Sequence, residues 1–189
     1  MNEIYTTVSV GLLLSWLAAA LLRIALPGKQ ASLGGLVLGL AIMLAARNTL
    51  PVLVLVSLFE PVAFGLSFLI LRSLAKPFLE IKVVPAWEQV LFLGLIFGYL
   101  YLSAGVTLFD PYRLGFDPLW AGCVAGILCL YAGFRGYIGF ALLPVAAQII
   151  WMTGLGSSNY FDHLISALMV PILIASVFGT LLATIALRE

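Results

Sequence analysis

The chain is expected to be an all-α, polytopic transmembrane bundle, because it is too apolar to coat itself with a water-facing surface and its apolar residues come in long unbroken runs. Of its 189 residues, 63% are hydrophobic and only 9% charged, with a mean hydropathy of +1.19. Soluble domains carry about 25% charged residues, so the solvent for most of this surface is lipid. In hydrocarbon every backbone amide must be satisfied within the protein, which leaves helix bundles or closed barrels. Barrel strands alternate apolar and polar residues with period two, and these runs do not. One transmembrane domain, 1–189, accounts for the whole sequence.

A spanning helix needs about 20 apolar residues. With that window the runs fall at 4–26, 31–46, 49–73, 86–109, 117–134, 136–153 and 164–187, about seven spans, with six as the second choice. The 31–46 run is short and bounded by Lys29 and Arg47, so it either crosses upright or folds back with its neighbour. Short loops on the cytoplasmic side collect Lys and Arg. With the N-terminus outside and the C-terminus inside, Arg23, Lys29, Arg72, Lys76, Lys82, Arg135 and Arg188 fall on the inner side and only Arg47 and Arg113 on the outer. The first run follows Met-Asn-Glu-Ile-Tyr, which has no basic residue, so it reads as a retained anchor more than a cleaved leader. The inner connection from Ser73 to Pro85 suits a short amphipathic interfacial segment.

Glu60 is the most unusual residue. It falls mid-run between Phe59 and Pro61, where an ionised carboxylate costs several kcal/mol unless paired or protonated. Pro61 is expected to bend the helix there. Glu60 with Gln148 is therefore the candidate proton or ion path, and a buried hydrogen bond between helices is the structural alternative. Pro144 and Pro171 fall at comparable depth in their runs, as ordinary kinks or as carbonyls freed to line a polar cavity.

On the outer side Asp110, Arg113 and Asp117 share one loop, and Asn159, Asp162 and His163 another. Carboxylates with a histidine can do acid/base work or bind metal. The chain has a single His, however, and Asp-Pro and Ser-Ser-Asn are also ordinary turn and cap residues, with Asp162 placed to cap the last helix. No metal or cofactor is assigned. Gly35-x-x-x-Gly39, Gly94-x-x-x-Gly98 and Gly122-x-x-x-Gly126 put small residues on one face of three runs, which permits close helix approach. Trp16, Trp87, Trp120 and Trp151, with Tyr5, Tyr99, Tyr112, Tyr137 and Tyr160, mostly sit near run ends as an aromatic belt.

A short run, one Arg and a longer run recur at 31–73 around Arg47 and at 117–153 around Arg135 in opposite orientation, though apolar hairpins resemble one another readily. Several classes are excluded by what is missing. The basic residues are scattered singly, so nucleic acid is not a partner. Cys123 and Cys129 lie six residues apart in one run and cannot bridge within it. The last run has no Lys for a Schiff base, one His cannot make a bis-His haem site, and no nucleotide-binding, serine-hydrolase or His-Glu-x-x-His motif occurs. The favoured function is a non-catalytic subunit or assembly partner in the inner or plasma membrane. It would contact the bilayer and either another membrane protein or its own copies. A small channel or secondary transporter using Glu60 comes second, and an intramembrane enzyme with an outer-face Asp/His site third.

Overall fold

The computed structural model describes residues 2–59, 62–106, 108, 110–166 and 168–186. The protein is 79% helical, with no strand among the described residues, as a lipid-facing backbone requires. The elements are α1 (Asn2–Leu22), α2 (Gly28–Ala46), α3 (Leu50–Phe59), α4 (Phe64–Ala75), α5 (Ala86–Tyr101) with a π-helical turn at Leu102–Val106, a 3-10 turn at Pro111–Phe116, α6 (Pro118–Phe134), α7 (Ile138–Met152), α8 (Tyr160–Leu164) and α9 (Met169–Ala186).

Among the described residues three stretches are long and apolar enough to cross a membrane: Glu3–Leu22, Gly28–Ala46 and Ala86–Gly105. That is fewer than the seven expected. The short 31–46 run gains length because its helix starts at Gly28 and takes Lys29 into its first turn, giving 19 residues. The 86–109 run reaches Gly105 through the π turn, with Gly105 left-handed at φ 74°. The 117–134 and 136–153 runs give helices of 17 and 15 residues. Glu60 and Pro61 lie outside the described residues. The 49–73 run is two helices, with Val62 and Ala63 non-helical and Ala63 at φ −56°, ψ 138°. The 164–187 run is also interrupted, since α9 begins only at Met169. Pro171 therefore sits in a first helical turn, where a missing N–H costs no hydrogen bond, and it is not the mid-helix kink expected from the sequence. Pro144 is inside α7 as expected. Between α4 and α5, residues 76–85 form a turn followed by irregular chain, without the interfacial helix that an amphipathic segment would give.

The residues form two internally packed groups, Met1–Ile81 with Ile149–Ser158, and Lys82–Gln148 with Asn159–Glu189. In the first, α1 packs along α2 through small residues on both helices. A Cβ on Gly39 would lie 2.2 Å from the Ser15 backbone nitrogen, and one on Gly35 2.5 Å from that of Ala19. Backbone cannot yield, so both positions require glycine. Ser15 is fully buried and donates its hydroxyl to Gly11 O at 2.7 Å and across the seam to Leu36 O at 3.3 Å. Gly11, Ser15 and Ala19 thus repeat at every fourth residue of α1, opposite Gly35 and Gly39. At one end Arg23 donates to Ser32 Oγ and to Ser73 O, both at 3.3 Å, tying α1 to α2 and α4. At the other, Tyr5 donates its hydroxyl to Val62 O at 2.7 Å, which satisfies a carbonyl left over where α3 and α4 are interrupted. Glu3 and Arg47 approach to 3.8 Å but are both exposed, and such a pair contributes little.

In the second group α5 packs against α9, and Gln89 donates to Thr180 Oγ1 at 3.1 Å and to Val84 O at 2.7 Å. The glycines here behave differently. Among the described residues, a Cβ on Gly94, Gly98 or Gly126 would meet nothing within 4 Å, and one on Gly122 only Gln148 Nε2 at 3.7 Å.

The two motifs make opposite predictions. Gly39→Ala should destabilise the protein by about 1–3 kcal/mol, the usual cost of forcing atoms into a filled site, while Gly94→Ala should be close to neutral. Thermal unfolding of both variants in detergent measures the contrast, and equal effects would contradict the seam.

Candidate functional site

Two polar clusters occur in the second group of residues. The first is the outer-loop set. Asp110 starts the 3-10 turn, its Oδ1 accepting from Tyr112 N at 3.0 Å, and Asp117 starts α6, its Oδ1 accepting from Leu119 N at 2.8 Å. Asn159 is the N-cap of α8, with Oδ1 accepting from Phe161 N at 2.8 Å. This role belongs to Asn159, whereas Asp162 lies inside that helix and does not begin α9. The two loops do meet, since Asn159 Nδ2 donates to Tyr112 O at 2.7 Å and Tyr112 donates its hydroxyl to Asp162 Oδ2 at 3.0 Å. The contact is close enough that a Cβ on Gly115 would overlap Asn159 Oδ1 at 1.9 Å. Arg113 is exposed, and among the described residues no ion pair joins it to Asp110, Asp117 or Asp162. His163 is buried, at 2% exposure. Among the described residues no three His, Cys, Asp or Glu side chains gather to hold a metal. Burial first, and then the Asp162 carboxylate that the hydroxyl faces, raise the Tyr112 phenol above its ordinary value.

Tyr112 was legible only as a belt aromatic, yet it carries the contact between the loops. Tyr99 stacks edge-on to Phe161 with ring centroids 5.4 Å apart, so it too anchors α8. Gln148 of the expected ion path is half-buried beside Gly122 of α6. Its expected partner Glu60 lies outside the described residues.

The second cluster was not foreseen. It forms where α6 ends and α5 begins. Gly136, at φ 70°, closes α6 in a left-handed turn, with Gly136 N donating to Gly133 O at 2.9 Å and Tyr137 N to Ala132 O at 2.8 Å. This is the glycine-terminated helix end whose backbone requirement excludes most other residues. It fixes Arg135 as the last cap residue, and Arg135 reaches Glu88 in the first turn of α5. Arg135 Nε donates to Glu88 Oε1 at 2.7 Å, and Nη2 donates to the same oxygen. Glu88 is fully buried while the Arg135 side chain is 42% exposed. The guanidinium lies over the Trp87 ring at 5.6 Å, and Lys82 Nζ lies 5.1 Å from the Tyr137 ring centroid while donating to Arg135 O at 2.6 Å. The ammonium therefore caps the negative end of the α6 dipole. Glu88 Oε2 is buried without a hydrogen-bond partner among the described residues. The hydrogen bond to Glu88 holds the Arg135 proton more firmly than usual.

Chemically this is a fixed ion pair at a helix junction, with the Lys82 ammonium on the carbonyl that ends α6. The sequence carried a signal for it, Ala-Trp-Glu-Gln directly after Pro85, which is easily passed over because an acid in a first helical turn is favoured by the dipole alone.

Comparison of the chain with known protein families, characterised proteins and solved structures returns no match.

Arg135→Gln should lower the unfolding temperature by leaving the Glu88 carboxylate buried without its counter-charge, and Arg135→Gln with Glu88→Gln should recover most of the loss. A single variant as stable as the parent protein would show that the pair is not needed for the fold.

Proposed function

We propose that the chain is a non-catalytic subunit or assembly partner of a complex in the inner or plasma membrane, crossing the bilayer about seven times with its N-terminus outside and its C-terminus inside. The observation that carries this reading is the contrast between like motifs. Gly35 and Gly39 are filled by α1, whereas Gly94 and Gly98 on α5 face open space. Small residues in membrane helices admit a second helix, so the open pair is the seat for a partner helix or a second copy. The polar groups fit the same reading. Asp110, Asp117 and Asn159 each use an oxygen to cap a helix, a structural use that supports ranking the enzyme reading third.

The span count is compatible with the short helices. The 15 residues of α7 rise about 22 Å, short of a hydrocarbon core of about 30 Å, and local thinning with interfacial anchors accommodates such a mismatch.

A small channel or transporter remains the second reading, favoured by the interruption between Phe59 and Phe64. Discontinuous helices are a habit of transporter sites, and Glu60 belongs to that stretch of sequence.

Cysteines placed at Gly94 and Gly98 should cross-link in native membranes to one protein of defined mass, either a stoichiometric partner or a second copy, above the background of Cys123 and Cys129. Gly94→Leu with Gly98→Leu should weaken that association about tenfold or more, as a lost close contact of about 1.4 kcal/mol requires. A chain that stays monomeric and uncross-linked, yet drives a proton flux in proteoliposomes that Glu60→Gln abolishes, would replace the subunit reading with the transporter.

A further inference from the structure

One end of the first group of residues collects Arg23, Lys29 and Lys76, cations that no acid neutralises. Arg23 follows α1, Lys29 lies in the first turn of α2, and Lys76 is the C-cap of α4. The bonds made by Arg23 bring them together. Ser32, which accepts from Arg23 Nη2, lies three residues after Lys29 on α2, and Ser73, whose carbonyl accepts from the same nitrogen, lies three residues before Lys76 on α4. Residues at that spacing share a helix face. A Cβ on Gly28 would stand 3.8 Å from the Pro77 ring, so the start of α2 and the end of α4 also approach one another directly.

Both acceptors of Arg23 are neutral, which leaves its charge uncompensated and its Nε and Nη1 uncommitted among the described residues. All three cations are exposed, and among the described residues none of them forms an ion pair. The first turn of α2 holds no acid, and Glu80, the acid that follows Lys76, is exposed and pairs with none of the three. Arg72, the other basic residue at this end, is half-buried and already engaged. Around the cations the surface is apolar. Ile24 is 85% exposed and Leu79 61%, and Leu21 and Phe78 are exposed as well. This end joins two stretches long enough to cross a membrane, Glu3–Leu22 and Gly28–Ala46, so their length alone sets the cations at headgroup level.

We propose that Arg23, Lys29 and Lys76 bind the phosphate of an anionic phospholipid, whose acyl chains lie against the exposed apolar side chains around them. The inference rests on the membrane reading above, but not on the identity of any partner protein. Charge complementarity selects the headgroup, and the apolar rim selects a lipid over a free anion. Arg23 is also a positioning residue, because its two bonds hold the helix faces that carry Lys29 and Lys76 at one place.

The test uses the full chain in nanodiscs of phosphatidylcholine with a minority of phosphatidylglycerol, followed by native mass spectrometry of the retained lipid. The parent protein should retain phosphatidylglycerol over phosphatidylcholine. Lys29→Gln and Lys76→Gln are the informative variants, because among the described residues neither side chain makes a bond that the fold uses, whereas Arg23 does. Each should reduce the enrichment about fivefold, the equivalent of the roughly 1 kcal/mol that one basic residue contributes near an anionic surface. Arg47→Gln, at the opposite end of α2, should leave it unchanged. Inorganic phosphate added to the discs should not compete. Equal enrichment in the parent protein and both lysine variants would overturn the site, as would an equal loss in Arg47→Gln, which would mean a general attraction to charge. Competition by free phosphate would make it a soluble-anion site and overturn the lipid. Failure to enter discs of any composition would refute the membrane reading and the site with it, whereas entry without selectivity would overturn the site alone.

Discussion

A backbone carbonyl or amide withdrawn from water needs a partner inside the protein, and this requirement organises the structure. Continuous helix meets it for most residues. The informative places are the interruptions, where another element supplies a side chain. Tyr5 donates to Val62 O beside the break between α3 and α4, Tyr160 donates to Pro144 O at 3.1 Å inside the second group, and Lys82 donates to Arg135 O at the end of α6. Cys129 Sγ donates to Ala141 O at 2.8 Å, so even a thiol that reads as a small apolar filler serves a carbonyl. Each of these bonds both satisfies the backbone and fixes one helix against another.

The same requirement explains how much was legible in the sequence. The runs 117–134 and 136–153 became α6 and α7 within two residues at either end, because Pro118 after a capping Asp117, and Gly136 after Arg135, are local signals that need no tertiary context. The runs 49–73, 86–109 and 164–187 were read as single spans, and each is interrupted. Hydropathy does not report a break when the residues around it are themselves apolar. Gly105 in a left-handed turn looks in sequence like any membrane glycine, and nothing local says that Asn159, not Asp162, starts the helix after the outer loop.

Side-chain partners were less legible still. Gly35, Gly94 and Gly122 head identical spacings, yet among the described residues only at the first would a Cβ meet the backbone of another helix, because α1 presents a matching row in Gly11, Ser15 and Ala19. Complementarity belongs to a pair of helices and cannot be read from one. Glu88 was missed for a related reason. Glu60, an acid in the middle of a run, is conspicuous by position alone, whereas Glu88 stands at a helix start where acids are ordinary and becomes unusual only through complete burial against Arg135. Tyr112 likewise gained its role from Asp162 and Asn159, which follow it by about fifty residues of chain.

The proposed multi-pass topology is the claim on which the partner and lipid sites both depend, and labelling single cysteines from either side of intact membranes tests it most directly. Cysteines in the 153–158 loop should react with an impermeant maleimide from outside, and cysteines in the 74–84 connection only after the membrane is opened, with residues inside α6 and α7 protected in both cases. Outside labelling of the 74–84 connection, with protection of 153–158, would contradict the orientation. Ready labelling along the whole of α6 and α7 would contradict their passage through the bilayer.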